Sequence, residues 1–178
     1  MINKLKTIAY FLSLLIVLAS CGGGSSSTSD NPSPSNQKST RATLKVAISG
    51  TLPAGTNISG VGVTMTLPAG VTVATDSSGA VTTESVIPSG IFASGTQATP
   101  IYSAENIGNP ASLKICPTSN KVEGESQTGE IATIVVNLAS GATPTAESFV
   151  LSDLVVVNAS TYDKITGISG SVTTVTFQ

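Results

Sequence analysis

Apolar residues in this chain recur at every second position. Leu44, Val46 and Ile48 share one face, with Thr43, Lys45 and Ala47 on the other. Val61, Val63, Met65 and Leu67 form a second set, interleaved with Gly62, Thr64 and Thr66. A period of two is that of a strand with one buried face and one solvated face. No window sustains the 3.6-residue apolar stripe of an amphipathic helix; Ala142 to Ser148 has room for one loose turn. Turn signals separate the runs, notably Leu67-Pro68-Ala69-Gly70 and Asp76-Ser77-Ser78-Gly79. Further strands are expected at Val71 to Val73, Val81 to Val86, Thr99 to Ala104, Ser112 to Cys116, Ile131 to Leu138, Phe149 to Val157 and Ser171 to Phe177. Ile131 to Leu138 is the most apolar run and is expected at the middle of a sheet. About nine short strands with little helix predict an all-β antiparallel sandwich. The repeat of Leu52-Pro53-Ala54-Gly55 at Leu67-Pro68-Ala69-Gly70 is reused turn chemistry, because no strand pattern is repeated around it.

The first residues read differently. Lys4 and Lys6 precede an apolar run from Ile8 to Leu18, broken only by Ser13, and Ala19 and Ser20 lead into Cys21. The run is shorter than the ~20 apolar residues that span a bilayer, and it has the three parts of a secretory signal. Leu18-Ala19-Ser20-Cys21 resembles a bacterial lipoprotein lipobox. The resemblance implies cleavage before Cys21 and lipidation of its thiol, with several acyl chains giving stable anchoring. An ordinary secreted protein with a chance cysteine at the cut is the alternative. By analogy with Gram-negative lipoproteins, in which Asp after the cysteine favours the inner membrane, Gly22 points to the outer membrane, on its periplasmic or surface side.

Gly22 to Arg41 reads GGGSSSTSDNPSPSNQKSTR and holds no large apolar residue. It cannot bury enough surface to fold, and its Gly, Ser and Pro make a spacer reaching about 25 Å on average and ~70 Å at full stretch. The expected organisation is a signal peptide over 1–20, the lipidated cysteine and linker over 21–41, and one domain over 42–178.

Few residues of that domain carry chemistry. The chain has no His and no Trp, is 10% charged and is 4% aromatic. Residues 42–178 hold four Lys, no Arg and nine carboxylates, a net charge of −5, which disfavours nucleic acid. Cys116 is left alone once Cys21 is lipidated. It has no imidazole to activate it and too few soft partners for zinc, so it is expected to be buried as a small hydrophobe. Glu123, Glu125 and Glu130 lie in the polar stretch KVEGESQTGE. Paired carboxylates can hydrolyse glycosides or hold calcium, but without aromatic neighbours or ligand spacing this stretch reads as a solvated loop. Asp153 and Asp163 flank a strand and suit turns. Among the aromatics, Phe92, Phe149 and Phe177 are expected in the core. Tyr162, in a predicted turn, and Tyr102 are the candidates to stack on a sugar, although no Trp is present to build a flat platform. No catalytic residue, metal ligand or cofactor is assigned.

The order of elements resembles cohesin-like domains, which share a jelly-roll sandwich with several carbohydrate-binding modules. Ile58 to Leu67 looks like the family's early strand, where Gly60 precedes an alternating run. Leu67 to Val73 sits where such domains turn into a second short strand. Gly129-Glu130-Ile131-Ala132-Thr133-Ile134 resembles a late strand of the family, and Phe149 to Val157 with Tyr162 to Gly167 resembles its closing strand and turn. The resemblance implies a jelly-roll topology and a non-enzymatic, lipid-anchored envelope module. Its ligand would be a dockerin-like protein or a polysaccharide, linked to polysaccharide degradation. No binding residue is carried over from the family. The alternative is a structural or adhesive envelope component assembling through its sandwich. A hydrolase using Glu123 to Glu130 is the third reading.

Overall fold

In a computed structural model the described residues are 39–178. The expected signal peptide over 1–20, Cys21 and the expected linker as far as residue 38 lie outside them. Twelve strands follow in order: β1 (Arg41–Ser49), β2 (Ile58–Thr66), β3 (Val71–Val73), β4 (Val86–Pro88), β5 (Thr96–Gln97), β6 (Ile101–Ser103), β7 (Ser112–Ile115), β8 (Pro117–Thr118), β9 (Glu130–Leu138), β10 (Val150–Asn158), β11 (Lys164–Ile165) and β12 (Ser169–Phe177). Nine of these have three residues or more, and β5, β8 and β11 are two-residue additions too short to leave a periodic signal. Two 3₁₀ turns, Gly90–Phe92 and Ala146–Ser148, are the only helical elements among the described residues. None of this is long and apolar enough to be a helix crossing a membrane.

Two antiparallel sheets form the sandwich. The first runs β12-β1-β9, and the far edge of β9 is shared end to end by β3, opposite Val136 to Leu138, and β4, opposite Ala132 to Ile134. The second runs β11-β10-β2-β7-β6, with β8 continuing the line of β7 along β2 and carrying β5. Ile131 to Leu138 therefore does lie mid-sheet. Val81 to Val86 is not one strand: Val81 makes a single bridge to Thr75, and the chain then turns, Ser85 N–H donating to the Thr82 carbonyl at 3.0 Å. Strand pairing resumes only at Val86, because Thr82 and Ser85 also bond through their hydroxyls at 2.8 Å and hold the turn closed.

The core lies between the sheets. Leu44, Val46 and Ile48 from β1 meet Val61, Val63 and Met65 from β2, Leu113 and Ile115 from β7, and Ile134 and Val136 from β9, all buried. Each such side chain contributes about 1.5–3 kcal/mol on burial. The surface ion pair Lys45–Glu130 is worth at most about 1 kcal/mol. Apolar burial holds the fold.

Four long strands depart from period two at one place each, and always for the same reason. Ile58 and Val61, Ile131 and Ile134, Leu151 and Leu154, and Val172 and Val175 all turn inward although each pair is three residues apart. An odd spacing puts two side chains on opposite faces of a regular strand. The pairing registers shift by one residue at each of these sites. The extra residues are Ser59, Ile131, one of Asp153 and Leu154, and Thr173, which makes each site a β-bulge. Asp153 takes a left-handed φ of 52°, which Asp tolerates better than most side chains.

Candidate functional site

The bulges of β2 and β10 decide what the second sheet shows to solvent. With Val61, Val63 and Met65 turned in, β2 presents Gly60 and Gly62 outward. With Leu151, Leu154 and Val156 turned in, β10 presents Val155 and Val157 outward. Val155 stands opposite Gly62 and Val157 opposite Gly60. On the other side of β2, Leu113 and Ile115 face the core, so alternation sends Lys114, Cys116 and Thr118 outward. A Cβ on Gly62 would lie 3.8 Å from Cys116 Sγ, and one on Gly60 would lie 3.0 Å from Thr118 Cγ2.

The result is a shallow groove of about 640 Å³ along β2. Its floor is bare backbone at Gly60 and Gly62. One wall is Val155 and Val157, the other Cys116 and Thr118, and Lys114 and Asp153 stand at one end. That volume is within the ~300–1,000 Å³ usual for ligand clefts. Val155 is 40% exposed although it is a large apolar side chain. The Cys116 thiol is half-buried in the wall, not sealed in the core as expected. The reading failed because the strand places Leu113 and Ile115, not Cys116, on the inner face.

The polar stretch before β9 is not a solvated loop throughout. Glu125 is 6% exposed. Its backbone exchanges two bonds of 2.8 Å with Ile58, which carries the loop onto the start of β2. Gly124 allows this close approach: its φ is +78°, and a Cβ there would fall 2.6 Å from the Ile58 carbonyl oxygen. Burial works against the Glu125 charge, but Lys121 Nζ donates at 2.7 Å and Ser119 Oγ at 2.7 Å, and together they hold its carboxyl below the usual range. Glu130 lies on the other sheet. Ser89 Oγ donates to it at 2.6 Å and Lys45 Nζ at 2.9 Å, and these bonds lower its pKa against a smaller cost of burial. Glu123 is exposed. Glu125 and Glu130 are thus each bound in a network of their own, on different sheets, and Glu123 is left to solvent.

The tyrosines are not brought together. Tyr162 sits in the turn between β10 and β11, 78% exposed, with a left-handed φ of 62°. Tyr102 is on β6 near the opposite edge of the same sheet, half-buried and packed against the core. Phe92 and Phe149 are buried as expected, but Phe177 is 43% exposed because β12 is the outermost strand of its sheet. Asp163 is exposed, and its carbonyl accepts from Asn158 N–H at 2.9 Å, a turn role. Among the described residues no group of three or more His, Cys, Asp or Glu is close enough to hold a metal ion.

Gly60, Gly62, Val155 and Val157 were not singled out from the sequence as site residues. The available signal was glycine on the outward positions of an alternating strand, which marks close approach of another backbone or ligand. No protein-family model matches this chain, and neither the curated proteins nor the solved structures include a significant match.

Proposed function

We propose that this chain is a lipid-anchored, cohesin-like module of the cell envelope, without enzymatic activity, that binds an extended segment of a partner protein along β2. The lipobox-like Leu18 to Cys21 supports the anchor, and Gly22 the outer membrane. The observation that carries the binding site is the glycine floor: Gly60 and Gly62 clear a lane between Val155 and Val157 on one side and Cys116 on the other. A glycine inside a strand costs about 0.5–1 kcal/mol relative to alanine. Thr118 packs over Gly60, where a Cβ would meet its Cγ2 at 3.0 Å, but Gly62 has open space beside the 40% exposed Val155, which makes poor sense for a surface that only meets water. Apolar walls favour protein side chains over sugar hydroxyls. The exposed Tyr162 is too far along the sheet order to complete a sugar platform with Tyr102. The lane is open at the surface and its walls are largely apolar, with Lys114 and Asp153 only at one end, which fits recognition better than turnover.

Gly62→Leu tests this, since it fills the groove from the outer face and leaves the core untouched. Immobilised protein would be exposed to an envelope extract of the parent bacterium. The expected result is one protein retained by the wild type, lost with Gly62→Leu and kept with Tyr162→Ala. Retention indifferent to Gly62→Leu would overturn the groove. Retention of a glycan, lost with Tyr162→Ala, would replace the protein ligand with a polysaccharide.

A further inference from the structure

The free edges of the two sheets are not alike. β3 and β4 are three residues each, and β4 ends in Pro88. β6 is three residues and follows Pro100; β5 and β11 are two residues each, and the stretch of β10 that β11 leaves open carries the charge of Asp153 and a bulge. Short strands and proline are ways in which natural sheets blunt edges that would otherwise pair with another chain. β12 is different. It runs nine residues, SGSVTTVTF, with no charge and no proline, and among the described residues it pairs only with β1. A bulge at Thr173 interrupts it, and the 3₁₀ turn Ala146–Ser148 lies near its first half. Beyond that bulge the strand is regular to Phe177.

The hydrogen-bonding phase of this last part is known. Gln178 N–H donates to the Arg41 carbonyl at 2.9 Å, so Gln178 and Arg41 form a bonded pair. Antiparallel alternation then directs the backbone groups of Thr176 and Thr174 toward β1 and those of Phe177 and Val175 toward the open side. Beside these open groups lies Phe177, an aromatic ring left 43% exposed at the rim of the sandwich. Thr174 and Thr176 line the outer face, both exposed.

We propose that β12 pairs antiparallel with β12 of a second copy of this chain, joining two five-stranded sheets into one continuous sheet and covering Phe177. A two-fold pair brings a strand against itself, so any charge on it would meet the same charge. β12 carries none. It offers threonine and valine, whose cross-strand pairs are favourable. A charged partner strand would find no complementary charge there. Of the cations on β1, Lys45 is tied to Glu130 at 2.9 Å, and Arg41 lies opposite Gln178, beyond the last residue of β12. The pairing is independent of the groove, which lies on the outer face of the other sheet.

The test is sedimentation equilibrium of the full chain in mild detergent over a range of concentrations. The wild type is expected to show a monomer–dimer equilibrium. Thr174→Lys with Thr176→Lys should weaken it about tenfold or more, as should Thr174→Glu with Thr176→Glu, because like charges then oppose each other across the strand pair. An equimolar mixture of the two variants should recover dimers, an outcome that unfolded chains would not give. Phe177→Ser, which removes only the exposed ring, should also weaken the dimer. Gly62→Leu should leave it intact. A wild type that stays monomeric up to ~1 mM, or dimers that persist in both charged variants, would overturn the proposal.

Discussion

β9 and β2 hold equivalent places in their sheets, yet their outer faces are opposites. Each is paired along one edge to a long strand, β1 or β10, and along the other to two short strands laid end to end. Their inner faces match, with Ile134 and Val136 on one and Val61, Val63 and Met65 on the other, all buried. Outside, β9 shows Thr133, Val135 and Asn137, with Glu130 bonded by Lys45, Ser89 and Thr133. β2 shows Gly60 and Gly62. The first is a face finished for water. The second lacks side chains in the one lane where its neighbours are apolar. The inner faces answer to stability, and only the outer faces tell the two sheets apart.

The largest effects should ignore this difference. Ile134→Ala on β9 and Leu113→Ala on β7 each remove a fully buried side chain and should each cost about 2–5 kcal/mol in chemical denaturation. A cost under about 1 kcal/mol at Leu113 would mean that the second sheet packs less tightly than the first, and the equivalence would fail. Next come the two bonded carboxylates. Hydrogen bonds from Lys121 and Ser119 to Glu125, and from Ser89 and Lys45 to Glu130, hold both carboxyls below their ordinary pKa in the folded chain. Unfolded, they bind protons more readily, so their contribution to stability is full above the ordinary carboxylate value and is lost as pH falls through the depressed ones. Melting temperature should therefore drop on acidification below about pH 4.5. Glu125→Gln combined with Glu130→Gln should flatten that drop, whereas an unchanged acid limb would show that other groups govern it. The smallest effects sharpen the contrast within β2 itself. Gly62→Ala has open space, with Sγ of Cys116 at 3.8 Å, and should stabilise by about 0.5–1 kcal/mol. Gly60→Ala meets Thr118 Cγ2 at 3.0 Å and the Pro117 carbonyl at 3.3 Å, and should destabilise. Equal melting temperatures for the two would remove the idea that Gly62 is kept for something other than fit.

Much of the sandwich was legible. Alternation at Leu44 to Ile48 and Val61 to Leu67 predicted the buried faces, and Asp76 to Gly79 predicted a turn. That turn closes on Asp76 Oδ1, which accepts from Ser78 N–H at 2.8 Å and Ala80 N–H at 3.1 Å and has its pKa lowered by the Ser78 bonds. The site was far less legible. Cys116 was assigned to the interior because cysteine usually is, but its face is decided by the parity of β7. Glu125 looked solvated because its neighbours are polar, but the partners that bury it include Ile58, sixty-odd positions away. Phe177 looked like core because it is aromatic, but it belongs to the last strand of a sheet.

Local sequence determined that this chain makes strands, where most of them turn, and which residues seek the interior, because period two and turn chemistry act between near neighbours. It also carries, as one contiguous pattern, the Leu18 to Cys21 stretch on which the proposed anchor rests. Tertiary structure decided the rest. Four pairs of inward residues spaced by three could be reconciled only by bulges, and a bulge exists only against a partner strand. Which glycines end up beside which valines depends on strands from three separate parts of the chain meeting in register. The groove and the open edge of β12 are properties of that meeting, created by contacts that no stretch of sequence contains.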